Sequence, residues 1–278
     1  MNTLLTPFQF EFFRNGMVAA VLVGGLCGLI GVYIVLRGMS YIGHGLSHAI
    51  FGGAVVAFVL QINFYLGAGI WGFVAALLIN QTVRHTRINA DAAIGVVTTA
   101  SFAVGVALIS RYRRFTQSFD AALFGNILGV TATDVAVIVA VTFPVVLVVW
   151  WLYKQLLFTT FDAEVAQVYG VSTAWVETWF ALVLAAAIIV SIQILGVTMI
   201  AAALVVPAIT ARLLTDSFHR MVAISTSLGA FTGLMGMYLS FYVDISSGAT
   251  IVLLQALLFC LALFVLARRP NRLVQAEI

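Results

Sequence analysis

Two histidines four residues apart, His44 and His48, are the residues of this sequence best suited to binding a metal ion. They belong to a glycine-rich stretch, residues 37–53, that joins two strongly apolar segments. If a helix runs through this stretch, both imidazoles lie on one face, because residues four apart are neighbours on a helix. Ionisable groups at the mouth of a membrane helix are costly to keep there, so the pair suggests a functional site.

The composition places these histidines in a membrane protein. Of the 278 residues, 63% are hydrophobic and 8% are charged, whereas a soluble domain carries about 25% charged residues. Length and composition leave room for one transmembrane domain, residues 1–278, and for no separate enzyme domain. The sequence also lacks the Gly-x-x-x-x-Gly-Lys-Ser/Thr loop that cradles nucleotide phosphates. It therefore predicts an all-α polytopic membrane protein without catalytic residues.

Nine apolar segments are candidates for spanning helices, each of which needs about 20 residues. The second is short, and the sixth and seventh are separated only by a turn near Gly196, so eight spans with one re-entrant segment are an alternative. The nine segments are 16–36, 43–60, 64–83, 92–110, 133–152, 175–193, 195–213, 221–241 and 249–267.

The positions of lysine and arginine predict the orientation, because cytoplasmic loops carry an excess of both. With nine spans and a cytoplasmic C-terminus, the N-terminus lies outside, and nine of the 13 basic residues face the cytoplasm. These nine are Arg37, Arg84, Arg87, Lys154, Arg212, Arg220, Arg268, Arg269 and Arg272. The cluster of Arg111, Arg113 and Arg114 on the outer side is the exception to the rule.

The order of the spans suggests an internal repeat. Spans one to four (16–110) and six to nine (175–267) form blocks of similar length on either side of one odd span. The odd span gives the two blocks opposite orientations, which is the geometry of an inverted repeat. We treat this repeat as a hypothesis.

The longest predicted cytoplasmic loop, residues 153–174, contains a short amphipathic helix. Thr160 or Asp162 can cap its N-terminus, and Gly170 can end it. A helix that lies on lipid would need a basic face for anionic headgroups, whereas this one begins with acidic residues. The pattern therefore favours docking of a cytoplasmic partner through an apolar face of Phe161, Val165, Val168 and Tyr169.

Four further polar residues at span ends are candidates for a role in transport. Asp91 stands at the start of span four, where it either caps the helix or serves as a ligand or gate residue. Asp120 and Asn126 lie in a semi-polar outer stretch, residues 115–131, predicted to be an interfacial helix and turn. These two residues and Asp244, before the last span, form an external gate or docking site, or are simply solvated loop residues.

Six segments, taken together, resemble the permease subunits of metal-ion ABC importers, the manganese, zinc and iron family. They occur in the family's order and extend over nearly the whole chain, from about Gly16 to Leu266. The segments are 47–49 (SHA), 94–96 (IGV) with 102–110 (FAVGVALIS), 123–130 (LFGNILGV), 161–171 (FDAEVAQVYGV), 195–197 (LGV) with 207–212 (PAITAR), and 244–250 (DISSGAT).

This resemblance implies a type II importer architecture, similar to the vitamin B12 and siderophore importers with one N-terminal span removed. The chain would form half of a homodimeric pore in the bacterial cytoplasmic (inner) membrane and carry a divalent metal ion without a tightly bound cofactor. An extracytoplasmic metal-binding protein would deliver the metal, and two ATPase subunits would dock on the loop helix 161–170. The residues implied in that docking are Asp162, Glu164, Val165, Gln167, Tyr169 and Gly170.

One position departs from the family pattern. The opening motif of the family usually reads Gly-Asp-x-x-Ser-His, and its acid and histidine are expected to line the metal path. In this sequence His48 matches the histidine, but His44 stands where the acid is expected. A pair of imidazoles favours zinc, copper or nickel, whereas manganese loses an oxygen ligand. We therefore expect a metal path formed by His48, His44 and Asp91, with zinc favoured and manganese next.

Two other classes of function stay open at this point. A self-sufficient secondary metal transporter would need ionisable groups at the bilayer midplane, but the ionisable residues of this chain cluster at span ends. A receptor or scaffold would use the loop helix only as a dock for its partner. Within the ABC architecture, a siderophore or vitamin permease is a further alternative.

Overall fold

Eleven α-helices make up the computed structural model, which describes residues 3–86, 88–112, 123–125 and 129–267. No strand occurs among those residues, and a 3₁₀ segment, Thr3–Gln9, leads into the first helix. The helices are α1 (Glu11–Leu36), α2 (Ile42–Val59), α3 (Phe64–His85), α4 (Ala90–Tyr112), α5 (Ala132–Trp151), α6 (Tyr153–Phe161), α7 (Ala163–Val168), α8 (Thr173–Leu195), α9 (Ile200–Leu214), α10 (Phe218–Val243) and α11 (Ser247–Ala267).

The predicted spans all correspond to helices. Eight helices of the described chain (α1–α5, α8, α10 and α11) are long and apolar enough to cross a membrane. The predicted seventh span is α9, which has only 15 residues and at 1.5 Å per residue is short for a bilayer. It begins at Ile200 rather than 195, because Gly196 adopts a φ of +71° and ends α8. Within the described residues there are thus eight full-length apolar helices and one short one.

The buried centre of the fold consists of α1, α2 and α8, whereas α4, α5 and α11 are buried over less than a quarter of their apolar windows. The exposed faces of these outer helices carry large hydrophobic side chains, as lipid contact requires. Helix α1 packs closely against α10, and a Cβ atom on Gly24 would overlap the carbonyl group of Gly229. Small residues therefore set the distance between these two helices.

The two predicted blocks, α1–α4 and α8–α11, pack in the same pattern. Within each block the second helix contacts the third and fourth: α2 contacts α3 and α4, and α9 contacts α10 and α11. Between blocks, α1 contacts α9 and α10, and α8 contacts α2 and α3. These contacts of one block thus have counterparts in the other.

The loop between α5 and α8 contains two helices, α6 and α7, where the sequence predicts one. Asp162 separates them, because its extended backbone (φ −153°, ψ 97°) interrupts the helical path. Its carboxylate accepts a hydrogen bond from the Val165 amide over 2.9 Å, so Asp162 is the one of the two predicted caps, Thr160 or Asp162, that caps α7. Gly170, with a φ of +81°, lies just beyond the end of α7.

Candidate functional site

The two histidines lie side by side on α2, as their spacing predicts. The ring centroids of His44 and His48 are 4.6 Å apart, and the rings meet edge to face. Tyr41 lies 5.6 Å from the His44 ring, and Phe102 of α4 lies 5.2 Å from the His48 ring. The imidazoles thus form one short stripe with aromatic side chains at both ends.

Burial distinguishes this stripe from the rest of α2. Every residue from Ile42 to Val55 is buried except His44 and His48, which are half-buried. Close helix packing explains the burial of their neighbours, since a Cβ atom on Gly45 would overlap the Ile94 side chain, and one on Gly52 would overlap the Ser101 carbonyl. The glycines therefore press α2 against α4, and the imidazoles are the side chains left within reach of a ligand.

Ser47, between the two histidines, ties α2 to the opposite block. Its hydroxyl is fully buried and lies 2.9 Å from the His44 carbonyl oxygen and 3.1 Å from the Val197 carbonyl oxygen. Val197 belongs to the four-residue break, 196–199, between α8 and α9. The histidine helix is thus fixed to the interruption that makes α9 short.

The same break, residues 196–199, is also hydrogen-bonded to Leu123, which precedes α5. The amide and the hydroxyl of Thr198 both donate to the Leu123 carbonyl, over 3.3 and 2.8 Å. The hydroxyls of Ser246 and Ser247, at the start of α11, donate to the carbonyls of Phe124 and Ile194. These bonds join the start of α11, residues 123–124 and the end of α8 into one cluster.

At the opposite end of the membrane helices, Arg37 joins the α1–α2 turn to α6. Its Nε donates to the Thr160 hydroxyl and one Nη donates to the Thr159 hydroxyl, each over 3.0 Å. The guanidinium also lies 4.4 Å from the centre of the Phe180 ring. Burial lowers the pKa of Arg37, while the Glu177 carboxylate acts in the opposite direction. The group stays charged, because arginine is not deprotonated in proteins.

The apolar face predicted for the loop helix is exposed. Val168 is 85% exposed, Tyr169 76%, Phe161 66% and Val165 39%, whereas Ala166 on the other side is fully buried. The side chain of Gln167 donates to Thr173 over 2.8 Å and fastens α7 to α8. We call Phe161, Val165, Val168 and Tyr169 the docking face.

The remaining predicted site residues lie apart from the histidines. Asp91 is exposed in the first turn of α4, one residue past the helix start at Ala90, so it does not occupy the N-cap position. Asp244 is exposed just after α10, where its φ of +56° is left-handed. Asp120 and Asn126 lie outside the described residues. Within the part of the chain that is described, no group of three or more His, Cys, Asp or Glu could hold a metal ion.

Sequence reasoning missed two residues of this arrangement. The sequence places Ser47 in the Ser-His-Ala motif but predicts no role for it, and it indicates only a cytoplasmic position for Arg37. The sequence gives only a weak indication of the Arg37 contact: two adjacent hydroxyl residues, Thr159 and Thr160, directly precede the docking face and can accept hydrogen bonds from a basic side chain. Nothing in the sequence indicates that Ser47 pairs with Val197, 150 residues away.

Comparison with known proteins gives concordant results. The sequence model of the ABC 3 transport family matches residues 9–266. The manganese transport system membrane protein MntC of Halalkalibacterium halodurans is 36% identical over 92% of this chain and 88% of its own length. The chelated iron transport system membrane protein YfeC of Yersinia pestis is 35% identical over 95% of this chain and 90% of its own. A solved structure of PsaBC from Streptococcus pneumoniae, in complex with Fab, superposes with a TM-score of 0.84 at 32% identity, over 93% of this chain and 94% of that chain.

Proposed function

This chain belongs to the ABC 3 transport family, and we propose that it is the permease subunit of an ATP-driven importer of divalent transition metal ions. The observation that carries this proposal is the burial pattern of α2, where His44 and His48 alone are accessible between Ile42 and Val55. A helix that offers only imidazoles to a ligand is suited to pass a metal ion. The printed names of its relatives, which refer to manganese and iron transport, support the same class of cargo.

The histidine pair is suited to a transient contact rather than to storage. Two imidazoles supply half of the four ligands of a tetrahedral zinc site, and the described residues offer no third protein ligand nearby. Conduction requires binding that is weak enough to release the ion. We place His44 and His48 on the path and give Asp91, at the start of α4, a weaker contact on the cytoplasmic side.

For the cargo, we propose zinc as the favoured ion and manganese as the next. Imidazole is a good ligand for zinc, whereas manganese prefers carboxylate and carbonyl oxygens. The relatives named for manganese and iron argue for the wider class of first-row divalent metals. His44 is the residue that shifts the preference within that class, because it replaces the acid of the resembled family motif.

We propose a homodimeric pore. Each chain brings one pair of imidazoles, so two chains would bring the four nitrogen ligands that a tetrahedral metal ion takes. Several outer helices, including α4, α5 and α11, expose apolar faces, which suit either lipid or a second copy. Cross-linking of single-cysteine variants in native membranes would test the stoichiometry, and a monomer that transports would contradict it.

ATP hydrolysis would come from separate ATPase subunits bound at the docking face. Three of its large hydrophobic side chains are at least 66% exposed. Because exposed apolar patches on a water-facing surface mark sites of protein interaction, we expect a cytoplasmic partner to cover them. Asp162, Glu164, Val165, Gln167, Tyr169 and Gly170 are the residues we assign to this contact. The chain itself would then be a transporter subunit and not an enzyme.

An extracytoplasmic metal-binding protein would dock at the opposite end. Asp244 is exposed there, next to the serines that bond α11 to residues 124 and 194. Together with Asp120 and Asn126 we assign it to the external gate or docking site. A predicted outer N-terminus and cytoplasmic C-terminus agree with this arrangement, which we place in the inner membrane of a bacterium.

The domain is proposed to contain an inverted repeat of residues 16–110 and 175–267. The support is the equivalent packing of α1–α4 and α8–α11, including a short second helix in each block, of 18 and 15 residues. In an inverted repeat, equivalent loops lie on opposite sides of the membrane. Single cysteines at Gln61, in the exposed loop after α2, and at Ser217, in the exposed loop after α9, should therefore react with an impermeant thiol reagent from opposite sides. Labelling of both from one side would contradict the repeat.

The test of the function is reconstitution. The chain is co-expressed with its candidate ATPase subunits and placed in liposomes with the metal-binding protein. ATP-dependent uptake of Zn²⁺ or Mn²⁺ that requires all components is the expected result. Uptake by this chain alone would instead support a secondary transporter, and ATPase association without uptake would support a scaffold.

A further inference from the structure

Arg37 forms side-chain hydrogen bonds between two described segments. One is the turn that leads into the histidine helix α2, and the other is the end of α6, which leads into the docking face. Its guanidinium holds the hydroxyls of Thr159 and Thr160 over 3.0 Å each. Thr160 stands two residues before Asp162, the cap of α7, and Arg37 stands five residues before Ile42, the start of α2.

The two hydroxyls are oriented to receive the guanidinium. The Thr160 hydroxyl donates to the Leu156 carbonyl of its own helix, over 2.6 Å, and the Thr159 hydroxyl donates to the Gln155 carbonyl, over 2.9 Å. Because each hydroxyl donates its one proton to a carbonyl of its own helix, its lone pairs are available to accept a hydrogen bond from Arg37. The planar fork of arginine reaches both at once, which a lysine ammonium on a flexible stem does not reproduce.

The turn that carries Arg37 also has space beside it. A cavity of about 190 Å³ lies between the turn, α2, α3, α4 and α8, and is lined by Arg37, Ile42, Ala76, Ile94, Glu177 and Phe180. Protein interiors are close-packed, with few voids larger than a water molecule. On this side the turn therefore has room to shift beside the Phe180 ring that Arg37 contacts, whereas on the other side it is bonded to α6.

From this geometry we infer that Arg37 is a positioning residue that transmits movement of the docking helix α7 to α2 and so to His44 and His48. The inference rests on the proposed function, because it requires a partner at the docking face. A shift of α6 and α7 pulls on both threonine hydroxyls, and the guanidinium passes the displacement to the first turn of the histidine helix. Allosteric coupling of this kind needs a physical element that both sites bias.

The test uses the reconstituted complex of this chain with its ATPase subunits and metal-binding protein, loaded with Zn²⁺ or Mn²⁺. Arg37→Lys keeps the charge but not the double contact, and Thr159→Val with Thr160→Val keeps the shape but not the hydroxyls. Thr159→Ser with Thr160→Ser keeps the hydroxyls, and Arg84→Lys changes an exposed arginine at the same end of the molecule. The last two are the matched controls.

We expect Arg37→Lys and the double valine variant to bind the ATPase and to keep its basal hydrolysis. The rate of metal uptake should fall by about tenfold, as the loss of hydrogen bonds to a charged group predicts. The stimulation of ATP hydrolysis by the metal-loaded binding protein should fall by about the same factor. The serine variant and Arg84→Lys should behave as the wild type. Uptake at the wild-type rate in the Lys and Val variants would overturn the inference, and so would loss of ATPase binding, which would give Arg37 a role in docking instead. Absence of uptake by the wild-type complex would count against the proposed function itself.

Discussion

The Ser47 hydroxyl lies 3.1 Å from the carbonyl oxygen of Val197 and joins the histidine helix α2 to the break between α8 and α9. This bond is buried and connects residues 150 positions apart. Together with the packing of α2 against α8 and α9, it helps to fix His44 and His48 relative to the opposite block.

We predict that Ser47→Ala lowers the stability of the protein by about 1–3 kcal/mol. The change removes the hydroxyl whose one proton is shared between the His44 and Val197 carbonyl oxygens, and the Val197 carbonyl lies outside a regular helix. Ser101→Ala is the matched control, since the Ser101 hydroxyl bonds only to the Val97 carbonyl of its own helix. Thermal unfolding of the purified protein in detergent measures both. Equal losses in the two variants would show that the contact with Val197 contributes nothing special.

The α1–α10 contact gives a second prediction about stability. A Cβ atom on Gly24 would meet the main chain of Gly229, whereas a Cβ atom on Gly69 of α3 would meet no atom within 4 Å. Gly24→Ala should destabilise the protein by about 1–3 kcal/mol through overpacking. Gly69→Ala should be neutral or stabilise by up to about 1 kcal/mol, because alanine is the better helix former. Unfolding temperatures of the two variants decide the matter, and a stable Gly24→Ala would contradict the close packing.

The docking face gives a prediction about assembly. The Val168 side chain is 85% exposed, so Val168→Asp should leave the fold of the chain intact. Burial of an unpaired carboxylate in an apolar interface is costly, and ATPase binding should weaken by tenfold or more, about 1.4 kcal/mol. Thr86→Asp adds the same charge at an exposed site after α3, in a different loop on the predicted cytoplasmic side. Pull-down of the ATPase should fail only with Val168→Asp, and equal retention by both variants would remove the docking face from the interface.

The cap of α7 can be tested separately. Asp162→Ala removes the side-chain acceptor of the Val165 amide and should cost about 1 kcal/mol of local helix stability. Asp162→Asn retains an acceptor and should cost less. Hydrogen exchange of the α7 amides reports this local opening, and unchanged exchange in Asp162→Ala would mean that the cap does not hold the helix.

Much of the fold follows from local features of the sequence. Apolar runs separated by arginines or by polar turns predict each membrane helix, since a helix is the form in which a single segment satisfies its own main chain in lipid. The Asp162 cap and the Gly170 terminus of α7 follow from short-range chemistry. The turn near Gly196 is also predicted and has a positive φ, but the helix after it begins at Ile200 rather than at the predicted 195.

The long-range contacts of the site do not follow from the sequence in the same way. The spacing of His44 and His48 predicts their shared face, because helical geometry fixes it. The bonds of Ser47 to Val197 and of Arg37 to Thr159 join residues 150 and 122 positions apart, and no local pattern specifies them. They arise from helix packing, which depends on the whole set of glycine contacts.

The central claim is that His44 and His48 contact the transported metal, and the most direct measurement is the competition of Zn²⁺ with Mn²⁺ during ATP-driven uptake in liposomes. Because a carboxylate favours manganese and an imidazole favours zinc, His44→Asp should raise the ratio of manganese to zinc uptake several-fold, by about 1 kcal/mol of relative preference. His48→Ala should reduce the uptake of both ions. An unchanged ratio in His44→Asp, together with wild-type uptake in His48→Ala, would contradict a metal path along α2.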